Sequence, residues 1–246
     1  MDLNAKVVVI TGASKGLGKQ AALHLSNLGA RVILVARSAD LLQNVTKEIK
    51  ETTGKEALAI SCDISDETDV KNIVTIIQDK FQRVDVLINN AGIGIYKPIE
   101  RLSNIEMRRH FEVNFYGPYY CTKALLSLLK QSKSGYILNI GSLFSKVSLG
   151  ENSVYAATKH ALAGFSQGLS QELKRYKIKV GIFMPGAMKT SFQDDREDGA
   201  IQMPEILMLK LDKAASIIGK MIKKKKKQVI MYRWMLVGLK LKSYFS

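Results

Sequence analysis

The chain has 246 residues, 46% of them hydrophobic and 24% charged, with 37 basic against 22 acidic side chains and a net charge of +15. A chain of this length buries roughly 70% or more of its unfolded surface, so it needs no covalent staples, and its composition excludes a wholly disordered protein. Two cysteines, Cys62 and Cys121, lie far apart and outside any metal-type spacing, which excludes a disulfide scaffold or a structural zinc site as the organising principle.

Apolar, β-branched runs alternate with helix-period stretches along most of the chain. Strands are predicted at 7–10, 32–35, 57–61, 84–88, 136–140, 180–184 and 229–231. Helices are predicted between them at 17–28, 39–52, 66–81, 105–129, 154–176 and 212–223, with apolar spacings of three and four such as Val70, Ile73, Val74, Ile77 and Phe81. Strands without polar alternation are buried on both faces, which requires helices on each side of a parallel sheet. Right-handed crossovers then predict an α/β fold with a doubly wound sheet of about seven strands. With no internal repeat and no linker, residues 1–246 read as a single domain with a substrate loop at 186–210 and a basic, apolar tail at 232–246.

The charge is uneven. Eleven Lys or Arg and one acid, Asp212, lie between Lys210 and Ser246, so +10 of the charge resides there. Lys223 to Lys227 can attract phosphate-rich surfaces, or can simply be a solvated helix end complementing the helix dipole. The tail mixes Trp234, Leu236, Val237, Leu239 and Leu241 with Arg233, Lys240 and Lys242, a composition that suits an anionic membrane surface or packing over a pocket or a neighbouring subunit. No run approaches the ~18 apolar residues of a membrane-spanning helix. No basic n-region or cleavage site precedes the first strand, and a cytoplasmic protein is expected, with peripheral membrane association through the basic segment as a variant of that expectation.

Thr11-Gly12-Ala13-Ser14-Lys15-Gly16-Leu17-Gly18 follows the first strand and opens a helix. Three glycines in that setting permit a tight turn and close approach of a pyrophosphate to bare backbone, while the helix N-terminus supplies N–H groups and partial positive charge. Further motifs are Asn89-Asn90-Ala91-Gly92 after the fourth strand, Asn114 in Val113-Asn114, Ser142 after the fifth strand, and Tyr155-Ala156-Ala157-Thr158-Lys159. With the Gly-x-x-x-Gly-x-Gly spacing, and with Tyr155 thirteen positions after Ser142, this set resembles the short-chain dehydrogenase/reductase family from residue 4 to about 232. The resemblance implies a Rossmann-type oxidoreductase in which Gly12, Ser14, Gly16, Leu17, Gly18, Asn90, Ala91 and Gly92 cradle a dinucleotide. It also implies that Pro185, Gly186, Met188 and Thr190 lie over the nicotinamide. Asp63 would meet the adenine edge, with Ile64 beside it, although Asp63 can also cap the next turn.

The second strand ends Val35-Ala36-Arg37, where an NAD enzyme would carry an acid for the ribose hydroxyls. A guanidinium at Arg37 can hold a 2′-phosphate bidentately, and Lys15 adds a second cation, so NADP(H) is the expected cofactor. Tyr155 and Lys159, four apart, share a helix face, and a neighbouring ammonium favours tyrosinate, lowering the phenol toward working pH. The resemblance gives Lys159 a grip on the nicotinamide ribose, Ser142 a hydrogen bond to the substrate oxygen, and Asn114 a water linking Lys159 to solvent.

The expected reaction is reduction of a ketone or aldehyde to an alcohol, or its reverse, with Tyr155 as acid/base. A 3-oxoacyl-thioester (acyl-carrier-protein) reductase and, more remotely, a non-catalytic NADP-binding regulator are the alternatives. Apolar candidates at 93–96, 143–145, 149–152 and 186–203 suggest a hydrophobic substrate. By analogy with relatives, helices 105–129 and 154–176 would build a homodimer or homotetramer. No nucleic-acid partner is expected, since the lysine run lacks interleaved aromatics. Weak contact of Lys223–Lys227 with an anionic membrane or a carrier protein is the remaining partner expectation.

Overall fold

The computed structural model describes residues 1–148, 151–188 and 208–232. Seven strands form one sheet in the order β3-β2-β1-β4-β5-β6-β7: β1 (Val7–Thr11), β2 (Arg31–Ala36), β3 (Leu58–Ser61), β4 (Val86–Asn89), β5 (Tyr136–Ile140), β6 (Lys179–Met184) and β7 (Gln228–Ile230). Every neighbouring pair is parallel. This is the doubly wound, Rossmann-type arrangement, whose strand order reverses between β1 and β4.

The helices are α1 (Gly16–Asn27), α2 (Ala39–Thr53), α3 (Glu67–Phe81), α4 (Asn104–Phe111), α5 (Gly117–Ala124), α6 (Leu126–Gln131), α7 (Ser153–Glu172) and α8 (Leu211–Lys224). Alternation along the strands sorts the core into two layers. Val8, Ile10 and Leu34 point to one face, where Leu25 of α1, Val45 of α2 and Ile218 of α8 cover them. Val7, Val9, Ile33 and Val35 point to the other, packed by Ile73 and Ile77 of α3, Cys121 of α5 and Leu169 of α7. The strands are apolar on both faces because both faces are covered.

Two helices depart from expectation. The predicted helix at 105–129 is divided into α4, a π-turn (Glu112–Tyr116), α5 and α6. The Gly117 N–H donates to the Glu112 carbonyl, five residues back, so the ladder slips by one residue around Asn114. The predicted helix at 154–176 likewise ends in a 3₁₀ turn at Leu173–Tyr176. Both cysteines are free and buried, and among the described residues no helix is long and apolar enough to cross a membrane.

Asp85 laces the N-terminal edge of the sheet. Its buried carboxylate accepts from the Val7 N–H (2.9 Å) and Ser132 Oγ (2.8 Å), and it pairs with Lys6 (3.6 Å) and Arg83 (3.2 Å). Burial raises the Asp85 carboxyl, but those bonds and cations outweigh it and hold the group below the usual carboxylate range. Asp85→Ala leaves a backbone donor and a hydroxyl unpartnered in the interior. Urea unfolding of this variant is expected to show a loss of about 2–4 kcal/mol, and a loss under about 0.5 kcal/mol would contradict the bonding role.

Candidate active site

The glycine loop meets the Asn89–Gly92 segment where the strand order reverses. Asn90 Nδ2 donates to the carbonyls of Thr11 (2.9 Å) and Gly12 (3.2 Å), and the Asn90 and Ala91 N–H groups donate to Thr11 Oγ1 at 3.0 Å each. This stitching leaves no room for side chains. A Cβ on Gly18 would lie 2.2 Å from the Gly12 oxygen and 2.6 Å from Asn90 Nδ2. Gly12 and Gly16 have φ of 65° and 57°, in the left-handed region that favours glycine. Lys15, which precedes α1, makes no capping bond, and the first turn of α1 carries no acid. The helix start therefore presents bare N–H groups beside a bare loop, which fits an anionic pyrophosphate. Leu17 is buried behind it.

Tyr155 and Lys159 sit on one face of α7, with Lys159 Nζ 5.7 Å from the centre of the Tyr155 ring. Both are buried. Lys159 Nζ donates to the carbonyl of Ile140, the last residue of β5, at 3.1 Å. Burial disfavours the ammonium and pushes Lys159 down to about 8. Two residues beyond Ile140, Ser142 Oγ accepts from the Phe144 N–H (3.2 Å), and its hydroxyl hydrogen has no partner among the described residues. The 3₁₀ turn at Leu143–Ser145 brings the Phe144 ring 6.0 Å from that of Tyr155. Fifth-strand geometry thus sets Ser142 and the Lys159 anchor together.

Asn114, in the π-turn, uses its amide on two neighbours. Its Oδ1 accepts from the Ile93 N–H (2.8 Å), while Nδ2 donates to the Ile93 carbonyl (2.9 Å) and to Thr158 Oγ1 (3.2 Å). It ties the loop after β4 to α7, between Tyr155 and Lys159. One turn earlier, His110 is fully buried, a position the motif reading did not single out. His110 Nε2 accepts from the Ile95 N–H (2.9 Å), which leaves Nδ1–H to donate to the Glu106 carbonyl (3.1 Å). Burial lowers the His110 pKa and outweighs the opposing effect of Glu106, and the two contacts correspond to the neutral Nδ1–H tautomer. Asn114 and His110 therefore fasten residues 93–96, and the Tyr96 ring lies 5.3 Å from that of Tyr155. The only sequence signal for His110 was its spacing of four before Asn114.

Of the positions bearing on cofactor choice, Ser14 and Lys15 lie in the glycine loop and Arg37 follows β2. Arg37 and Lys15 are exposed, and Ser14 is half-buried. Ser61 Oγ donates to the Arg37 carbonyl (2.9 Å), which fixes the backbone from which the guanidinium projects. Asp63 caps its own turn: Oδ1 accepts from the Ser65 N–H (3.0 Å) and Oγ (2.6 Å), and Oδ2 accepts from Arg109 Nη2 (3.0 Å). Burial raises this carboxyl, but the Ser65 and Arg109 bonds outweigh it and hold it low. The side chain of Ile64 is buried against Gly117 of α5. Leu143 N–H donates to the Pro185 carbonyl (3.2 Å), joining the Ser142 turn to residues 185–188. Gly186 lies against Tyr232, where a Cβ would come 2.7 Å from the ring. Met188 packs on the core face that holds α8. Thr190, Leu149 and the pocket positions 189–203 lie outside the described residues.

The buried ammonium has a consequence for stability. The folded Lys159 pKa of about 8 lies below its unfolded value of 10.5, so the native state holds this proton less tightly than the unfolded chain. Its contribution to stability therefore rises as pH climbs from about 8 toward 10.5. Lys159→Met removes a buried charge. Thermal melts at pH 7 and 9.5 are expected to show the variant at least as stable at pH 7, with its advantage shrinking at pH 9.5. A variant equally destabilised at both values would contradict the desolvated ammonium.

Residues 6–200 match the family model described as short chain dehydrogenase. The bovine dehydrogenase/reductase SDR family member 7B is 35% identical over 190 residues, which cover 75% of this chain and 58% of that protein, so the chain spans little more than half of that relative. An alcohol dehydrogenase from the archaeon Thermococcus sibiricus, solved with 5-hydroxy-NADP, superposes with a TM-score of 0.85 at 29% identity, covering 93% of this chain and 96% of that one. A 3-ketoacyl-(acyl-carrier-protein) reductase from Brucella melitensis, solved with NADH, superposes with a TM-score of 0.83 at 31% identity, covering 93% and 95%. With its doubly wound sheet, bare glycine loop and Tyr155–Lys159 pair, the chain belongs to the short-chain dehydrogenase family.

Proposed function

We propose that the chain is an NADPH-dependent oxidoreductase that reduces an apolar ketone or aldehyde to an alcohol, or runs the reverse reaction. The observation that carries this reading is the buried Lys159 ammonium beside Tyr155, at the sheet edge where the glycine loop also opens. When bound, the reduced nicotinamide supplies hydride to the carbonyl carbon. Tyr155 donates the proton that the carbonyl oxygen requires. Lys159, fixed by the Ile140 carbonyl, stabilises the phenolate left behind and holds the nicotinamide ribose. Ser142 donates its unused hydroxyl hydrogen to the carbonyl oxygen, where negative charge develops. Asn114 keeps α7 in register with the loop after β4, and Tyr96, Leu143 and Phe144 supply an apolar wall. Arg37 and Lys15 hold the 2′-phosphate, with Ser14, Asn90, Ala91 and Gly92 around the rest of the dinucleotide. Asp63 and Ile64 border the adenine end, Asp63 with its carboxylate already turned toward Ser65 and Arg109.

A second reading, a 3-oxoacyl-thioester reductase, is favoured by the likeness to the Brucella melitensis enzyme. Turnover of acyl-thioesters without turnover of simple ketones selects it. In either case we propose a homo-oligomer. The outer face of the π-turn and α5 exposes Tyr116 (45%) and Tyr119 (37%) beside Phe115, Tyr120 and Phe165 of α7, more aromatic surface than a solitary helix face needs.

Tyr155→Phe is expected to lower turnover by about 10²–10⁴-fold while leaving NADPH binding, read by fluorescence titration, nearly intact. Retention of more than about a tenth of the activity would contradict the proton-donor role. Arg37→Asp is expected to weaken NADPH by about tenfold or more and to shift the kcat/KM ratio toward NADH. An unchanged ratio would contradict the phosphate contact.

A further inference from the structure

The glycine loop, Ser142 and Pro185 all follow the C-terminal ends of strands. At the other edge of the sheet, six lysines from separate segments line one cavity of about 480 Å³: Lys133, Lys177, Lys179, Lys223, Lys224 and Lys225. Lys133 precedes β5, Lys177 and Lys179 lie at the entrance of β6, and the other three end α8. No carboxylate lines the cavity, and Lys133, Lys177, Lys179, Lys223 and Lys224 form no ion pair among the described residues. Asp85, whose charge acts on Lys225, is already bonded to Lys6, Arg83, Val7 and Ser132.

The dipole of α8 accounts for Lys223 and Lys224, which sit in its last turn. It does not account for Lys133, Lys177 and Lys179, which arrive on other elements. Two of the six occupy left-handed turn positions, Lys177 at φ 59° and Lys225 at φ 47°, where glycine or asparagine is the easier residue. Lys225 Nζ is also aimed and held, donating to the Ser134 carbonyl (2.7 Å) and to Ser134 Oγ. Burial first, and then its neighbours Lys179 and Lys6, push the Lys225 ammonium down, so the cluster is self-repelling as it stands. Bringing several phosphate oxygens into the cavity relieves that repulsion through charge-assisted hydrogen bonds.

We propose that this lysine-lined cavity is a second anion site, separate from the cofactor crevice, that binds a ligand carrying clustered phosphate groups. Such groups come from a soluble polyphosphorylated solute or from phospholipid headgroups. The site is independent of the reaction proposed above, since it uses none of the residues at the C-terminal edge.

Two arms separate the sources. In the first, the full chain is titrated calorimetrically with inorganic tripolyphosphate at low and high salt, in a Lys15→Ala/Arg37→Ala background that weakens any binding at the glycine loop. In the second, flotation is measured with phosphatidylcholine vesicles containing phosphatidylinositol 4,5-bisphosphate. Each arm is repeated with Lys133→Ala/Lys177→Ala/Lys224→Ala, and with Lys177→Gly alone, which removes a charge while easing the left-handed backbone and so leaves the fold intact. Salt-sensitive tripolyphosphate binding that falls about tenfold or more in the triple variant, and measurably in Lys177→Gly, supports a soluble source. Flotation lost in the same variants, with no tripolyphosphate binding, supports headgroups. Absence of binding in both arms, or binding that the lysine variants leave unchanged, overturns the proposal.

Discussion

The architecture depends on the closeness of two backbone segments at the point where the strand order reverses. In an all-parallel sheet every strand ends at the same edge, and chains leave β1 and β4 in opposite lateral directions. The crevice between them is held by one side chain, Asn90, and one hydroxyl, Thr11 Oγ1, acting on bare backbone. Gly12 and Gly18 are required because a Cβ at either would strike the segment across the crevice. The same bareness leaves the N–H groups of α1 open to an anion. Close packing of the two loops and dinucleotide binding are thus a single geometric requirement.

From that crevice the reactive groups are built outward by short, rigid links. The end of β5 supplies both the Ile140 carbonyl that anchors Lys159 and the turn that carries Ser142. The π-turn aims Asn114 at the loop after β4, and His110 repeats the attachment one turn before it. Burying Lys159 disfavours its charge, and the function proposed above gives that cost a use, an easily displaced proton beside Tyr155. The same logic is absent from the N-terminal edge, where Asp85 is fully bonded, Lys6 among its partners, while Lys133, Lys177, Lys179, Lys223 and Lys224 form no ion pair among the described residues.

Much of this was legible in the sequence, for a physical reason. Strands buried on both faces read as unbroken apolar runs, so Val7–Thr11 and Tyr136–Ile140 were found almost to the residue. Tyr155 and Lys159 were visible because a spacing of four fixes a shared helix face. The division of 105–129 was not visible, since a π-turn changes the ladder without changing apolar spacing. His110 was missed because its partners, Ile95 and Glu106, are backbone groups that leave no mark in residue identity. For Asp63 two readings stayed open, and only coordinates show its carboxylate turned to Ser65 and Arg109. The lysine run at 223–227 was evident, but the approach of Lys133, Lys177 and Lys179 depends on how three parallel strands begin side by side.

The central proposal is that the crevice and the Tyr155–Lys159 face together move hydride between NADP(H) and a carbonyl carbon. Absorbance at 340 nm tests it directly, with purified protein, NADPH or NADH, and a panel of apolar ketones, aldehydes and acyl-thioesters. The account predicts consumption of NADPH with at least one class of panel member, faster than consumption of NADH. Tight NADPH binding with no consumption across the panel, or a clear preference for NADH, would contradict it.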